Sequence, residues 1–252
     1  MRLTATAALA LIAAGLASRS AGAALSYPQV QRATELCRSG ERALEVGNFG
    51  RARRSFLKVI EIVPVYPEAH LGMGHLAMRE RRFEDALREY ETARDRYVDM
   101  SKALFDLDAR RFAEARAEIT ELMDDLVARQ RFAPVPLKMS RLESAIERLK
   151  AIEPPDRSAL ADPPGQIHFY VGNALFRLNR LDEAVAAWET CLRTAPAFPA
   201  AYNNLAVGYW LLGRLEDARR TLALAASRGL PINKDLAADL ERSAALGAAP
   251  RG

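Results

Sequence analysis

The chain has 252 residues, half of them hydrophobic and 27% charged, which is enough apolar material for a packed core and excludes a disordered chain. Two cysteines exclude a disulfide-rich scaffold, and charges spread along the whole sequence exclude a polytopic membrane protein. A net charge of +4, with acids and bases interleaved, provides no basic stripe for nucleic acid.

The first segment differs from the rest. Arg2 precedes an apolar run from Leu3 to Ala17, followed by Ser18-Arg19-Ser20 and then Ala21-Gly22-Ala23. A positive start, a short apolar stretch and an A-x-A pattern predict an export signal peptide over 1–23, cut after Ala23. The run is shorter than the ~20 residues a membrane-spanning helix needs. Export to the periplasm or out of the cell follows, with no integral membrane segment left after cleavage. An exported chain invites a disulfide, but Cys37 and Cys191 lie far apart at apolar helical positions, which favours two buried free thiols.

Residues 24–99 contain a repeat. Gly40 recurs as Gly74, Phe49 as Phe83, Ala52 as Ala86 and Phe56 as Tyr90, each 34 residues on. Each block reads as two amphipathic helices around a turn, Glu45-Val46-Gly47-Asn48 in the first and Arg79-Glu80-Arg81-Arg82 in the second. Residues 100–165 break the period, because Ala86 to Ala184 is 98 residues, four short of three periods. Phe105, Phe112, Ile119 and Leu126 recur every seven residues, and Leu142, Ala145, Ile146, Leu149 and Ile152 form a second stripe. A helical hairpin is predicted, with punctuation at Arg131–Pro136 and a proline-rich connection from Glu153 to Gly165. The first stripe also offers a seam for self-association. The 34-residue period returns over 166–232, where Gly172 aligns with Ala206, Phe176 with Trp210, Leu181 with Leu215 and Ala184 with Ala218. Residues 233–252 supply an amphipathic capping helix and a tail.

These residues resemble the tetratricopeptide repeat. The block from Ala33 carries Leu36, Gly40, Ala52, Phe56, Val59 and Pro64 at its characteristic places, and the block from Pro67 carries His70, Gly74, Ala86, Tyr90 and Ala93, with Val98 where proline is expected. The block from Gly165 carries His168, Gly172, Ala184, Trp188, Cys191 and Pro196, and the block from Pro199 carries Tyr202, Ala206, Ala218, Leu222 and Ala225, with Pro231 one place late. The resemblance implies an all-α fold, an α-solenoid of helical hairpins with an irregular insert and a C-terminal capping helix. Small residues let the paired helices approach, and the large residue at the twenty-fourth place fills the gap to the next hairpin.

No catalytic set is present. His70 and His75 are five residues apart, off the i, i+4 spacing of a metal pair, and no H-E-x-x-H, G-x-S-x-G, P-loop or G-x-G-x-x-G sequence occurs. No metal, cofactor or enzymatic activity is assigned. The resemblance instead implies a concave groove lined by the first helix of each repeat. There it places Phe169, Asn173, Phe176 and Arg177 from the third block, and Asn203, Asn204, Val207 and Trp210 from the fourth. Asn173, Asn204 and Lys234 match places where peptide-binding relatives hold ligand amides or a terminal carboxylate, whereas Phe169 and Ala238 stand where basic residues would complete a carboxylate clamp. The function expected is an exported scaffold or adaptor that takes a protein or peptide in its groove. The alternative is a structural subunit that self-associates through the insert.

Overall fold

The computed structural model describes residues 27–132, 140–152 and 163–246, so the expected leader at 1–23 lies outside them, as does the expected break at 133–136. Among the described residues there are ten helices and no strand. The first three are α1 (Tyr27–Glu45), α2 (Phe49–Ile62) and α3 (Pro67–Arg79), followed by α4 (Phe83–Phe132) and α5 (Ser140–Lys150). The second pair of repeats gives α6 (Gly165–Arg177), α7 (Leu181–Thr194), α8 (Pro199–Leu211) and α9 (Leu215–Ser227), and α10 (Lys234–Leu246) closes the chain.

Local chemistry sets the helix ends. Pro67 and Pro199 open α3 and α8, where a missing N–H costs nothing. The Asn48 side chain accepts from the Arg51 N–H at 3.0 Å at the start of α2, and Asn233 accepts from the Asp235 and Leu236 N–H groups at 3.0 and 3.1 Å at the start of α10. The first helix of every hairpin ends in a left-handed residue at the same repeat position: Gly47, Arg81, Asn179 and Gly213. There the next N–H reaches back five residues, as Asn48 does to the Ala43 carbonyl at 2.8 Å and Arg214 to the Tyr209 carbonyl at 2.8 Å.

The expected contact between the small eighth residue and the large twenty-fourth one is present. A Cβ added to Gly40 would lie 2.6 Å from the Phe56 ring, and one on Gly172 would lie 2.5 Å from the Trp188 indole. Gly74 abuts Tyr90 in the same way. Gly208 brings α8 onto Val185 and Trp188 of the preceding hairpin. Phe56 and Tyr90 are almost fully buried, as is Trp188.

Among the described residues two compact units result: 28–98 with 163–246, and Tyr27 with 99–132 and 140–152. In the first, the two repeat pairs share one apolar core. Ala77, Leu87 and Tyr90 of α3 and α4 belong to the same cluster as Ile167, Leu175 and Trp188 of α6 and α7. The cluster continues to Leu222 of α9 and to Leu236 and Leu240 of the capping helix α10. Bidentate contacts from Arg219 to Glu241, at 3.0 and 2.9 Å, add to that cap. In the second unit, Leu142 and Ala145 of α5 are buried, and Arg148 pairs with Glu118 of α4.

The insert departs from expectation in one respect. The sequence pattern ends the second repeat at residue 99 and begins a separate hairpin at 100, but α4 runs unbroken for 50 residues. No glycine or proline occurs between Phe83 and Phe132, and Val98 stands where the repeat's proline would stop the helix. At 1.5 Å per residue, α4 is about 75 Å long.

Candidate functional site

The first helices of the later repeats lie side by side. Asn173 on α6 accepts two hydrogen bonds at Oδ1, from Asn204 Nδ2 of α8 at 2.8 Å and from Trp188 Nε1 of α7 at 3.2 Å. Asn173 Nδ2 and Asn204 Oδ1 have no partner among the described residues. The pair thus leaves one amide donor and one carbonyl acceptor unspent between adjacent helices, the combination that a peptide unit complements.

The remaining sequence-predicted residues divide by what they touch. Phe169, half-buried, packs edge-to-face on Tyr170 and on Phe198, with centroids 5.7 and 4.9 Å apart. Phe176 tilts against Trp188 at 5.8 Å. Val207 and Trp210 are half-buried at the margin of the core, and the Trp210 indole N–H is buried without an acceptor among the described residues. Arg177 holds its guanidinium 4.8 Å from the Phe83 ring centroid, so it also joins the second and third repeats. Asn203 is committed within the fold: its Nδ2 donates to the Pro199 carbonyl at 3.2 Å, and its Oδ1 accepts from the Asn233 N–H at 2.8 Å, tying α8 to the start of the cap. Lys234 is exposed in the first turn of α10.

A row of rings across the joint between the repeat pairs escaped the sequence reading. Tyr170 stacks on Tyr90 at 5.6 Å and meets His75 edge-on at 4.5 Å, while His75 Nδ1 lies 2.9 Å from the Tyr90 hydroxyl. The signal was the adjacency of Phe169 and Tyr170, but only the packing of α6 beside α3 brings His75 to them. Burial lowers the His75 pKa from 6.5 to about 4, and the Arg79 charge adds to the effect. His70 faces Glu89, with Nδ1 2.8 Å from Oε2.

On the first two repeats, Thr34 Oγ1 and the Tyr66 hydroxyl are 3.3 Å apart, and the Tyr97 hydroxyl donates to Glu68 Oε1 at 3.1 Å. Cys37 lies among them, and Cys191 is buried under α6 and α7 packing; both are free thiols. Burial pushes Cys37 up to about 12, helped by the charges of Glu41 and Glu68, and burial pushes Cys191 up to about 11. A thiol so placed presents no thiolate at neutral pH. The native protein is therefore expected to leave a colorimetric disulfide reagent unreacted until denaturant is added. Prompt labelling of either cysteine in the folded state would contradict this environment.

The tetratricopeptide repeat family model matches residues 37–97 and 171–231. No curated protein sequence matches the chain. Similar solved structures include PilW, described as a widely conserved type IV pilus biogenesis factor, which is 16% identical with 85% of this chain and 86% of that chain covered and a TM-score of 0.41. A thermophilic protein of this repeat class from Thermus thermophilus is 18% identical, with 84% and 99% covered and a TM-score of 0.37. YrrB, described as having an unusual peptide-binding site, is 15% identical, with 82% and 90% covered and a TM-score of 0.31. The class is an all-α solenoid of tetratricopeptide type, with a helical insert between the second and third repeats and a capping helix. Among the described residues, no helix is long and apolar enough to cross a membrane.

Proposed function

We propose that the chain is an exported scaffold of the cell envelope that holds a protein or peptide partner along the face formed by α6 and α8. The observation that carries this reading is the Asn173–Asn204 pair, which keeps a donor and an acceptor unspent beside the half-buried rings of Phe169, Phe176 and Trp210. Rings give apolar contact area at low entropic cost, and the amides fix the register of an extended backbone. The A-x-A leader pattern at 1–23 supports delivery to the periplasm or the exterior.

The test is affinity capture from an envelope extract with the wild-type chain and with Asn204→Ala. Asn204 is the better target because Asn173 also satisfies the Trp188 N–H. Loss of the captured partner with an unchanged melting curve is expected; equal capture by the two proteins would sink the reading. A second reading, self-association through the insert, draws on Met123, which is 52% exposed beside the half-buried Ile119 and Leu122. Light scattering separates the two, since a strictly monomeric chain removes the second.

A further inference from the structure

We propose that the first two repeats hold a lysine or arginine side chain of the partner peptide, with Glu68 and Glu41 as its counter-charges and Tyr97 as the group that positions Glu68. The inference deepens the reading above and rests on it, because it places the same partner along the first helices from α8 back to α1.

Three observations support it. The face is continuous within the repeat unit: the Thr34–Tyr66 contact at 3.3 Å lies at the first hairpin, and His75 meets Tyr170 at 4.5 Å where α3 adjoins α6. Charge on that face changes sign along its length. Glu41, Glu45 and Glu68 stand on α1 and α3, with Arg38 and Arg42 beside them on α1, whereas α6 carries Arg177 and no acid and α10 opens on Lys234. Arg79, in the last turn of α3, marks the change.

The third observation is Glu68 itself. Its Oε1 accepts from Tyr97, but its Oε2 is buried and has no hydrogen-bond partner among the described residues. An unpaired buried carboxylate oxygen is costly unless a cation or a proton meets it. Burial outweighs the hydrogen bonds from Glu68's own backbone N–H and from Tyr97 and, with the charge of Glu41, holds Glu68 above the usual carboxylate range. Glu41 is raised as well, by burial and by Glu45, more than Arg38 lowers it. An incoming ammonium or guanidinium relieves both acids at once, and the neighbouring half-buried Tyr97 ring suits a cation. The occupant is a peptide cation rather than a metal ion, because no group of three His, Cys, Asp or Glu side chains converges among the described residues. The chain's net positive charge opposes a cationic ligand at long range, so affinity for one must come from a local acidic site.

The experiment is fluorescence anisotropy on the full chain with two labelled peptides. One is a short peptide of lysine, leucine and tyrosine, and the other replaces each lysine with glutamate. The wild type is expected to bind the lysine peptide in preference to the glutamate one. Glu68→Gln with Glu41→Gln should weaken that binding about tenfold, the loss expected for a charged hydrogen-bonded contact. Glutamine retains an acceptor for Tyr97. Glu61→Gln with Glu121→Gln removes the same charge at exposed sites elsewhere and should change affinity less than about twofold. Equal affinity in the Glu68/Glu41 variant, an equal loss in the control variant, or no preference for the lysine peptide would each overturn the proposal. Should the double variant fail to fold, Glu41→Gln alone is read: Glu41 keeps enough exposure on α1, its carboxyl only partly covered, for the change to be tolerated, a loss of about threefold is expected, and no loss overturns the site. Asn204→Ala, measured with the same peptide, separates the two readings. Unchanged binding there with a loss in the glutamate variant rejects the α6–α8 face and keeps the acidic site, and the reverse pattern rejects the acidic site alone.

Discussion

Trp188→Ala is expected to cost about 3–5 kcal/mol in urea unfolding followed by circular dichroism, the range for truncating a large core aromatic. With a domain's whole stability at about 5–15 kcal/mol, that loss brings the repeat unit close to unfolding. Trp188 is 1% exposed and ties α7 to two other helices: it fills the space above Gly172 of α6 and donates its indole N–H to Asn173 there, and it meets Gly208 of α8. The reciprocal change is also informative. Gly172→Ala places a Cβ 2.5 Å from the indole nitrogen and should cost about 1–3 kcal/mol by overpacking. In a Trp188→Leu background the same methyl has room, so the two changes should be strongly non-additive. Additive costs would show that the small-on-large contact does not join these helices.

The second large effect is acid sensitivity through His75. Its half-buried imidazole lies against Tyr90 of α4 and Tyr170 of α6, with the Arg79 charge on its own helix. The folded pKa is about 4 against 6.5 for the free side chain. Above 6.5 neither state holds the proton, while between 6.5 and 4 only the unfolded chain takes it up. Stability therefore falls as the pH is lowered through that window, by about 3 kcal/mol at its lower end. Glu41 and Glu68, raised in the folded state, act in the opposite sense, since their folded forms take up protons first. The informative quantity is the difference between proteins: His75→Phe should lose the His75 part of the slope in denaturant titrations run between about pH 7 and pH 4. Superimposable pH profiles for the two proteins would contradict the burial of a neutral imidazole at this joint.

What was legible in the sequence was the part governed by local spacing. Gly40, Gly74 and Gly172 could be matched to Phe56, Tyr90 and Trp188 because each pair lies sixteen residues apart within one hairpin, and the structure brings each pair into contact. The capping helix was legible for the same reason, through Asn233 and the apolar Leu236 and Leu240. The length of α4 was missed because the repeat pattern imposed an end at Val98, whereas helix continuation depends on the absence of a stop signal. The ring row of His75, Tyr90 and Tyr170 was missed for a different reason. It joins segments separated by the whole insert, and no periodicity records which helix will lie beside α3. Asn203 shows the limit of reading a site by position. It occupies a groove position of its repeat, yet both ends of its amide serve the turns around α8 and α10. Asn204, one residue on, reaches across to Asn173 instead.

The most direct measurement of the central claim is hydrogen–deuterium exchange of the full chain with and without its captured partner. Protection on binding should appear in peptides covering α6 and α8 and extend along the first helices to α3 and α1. Protection confined to the second helices α7 and α9, or to the insert around Met123, would contradict a docking face built from the first helices.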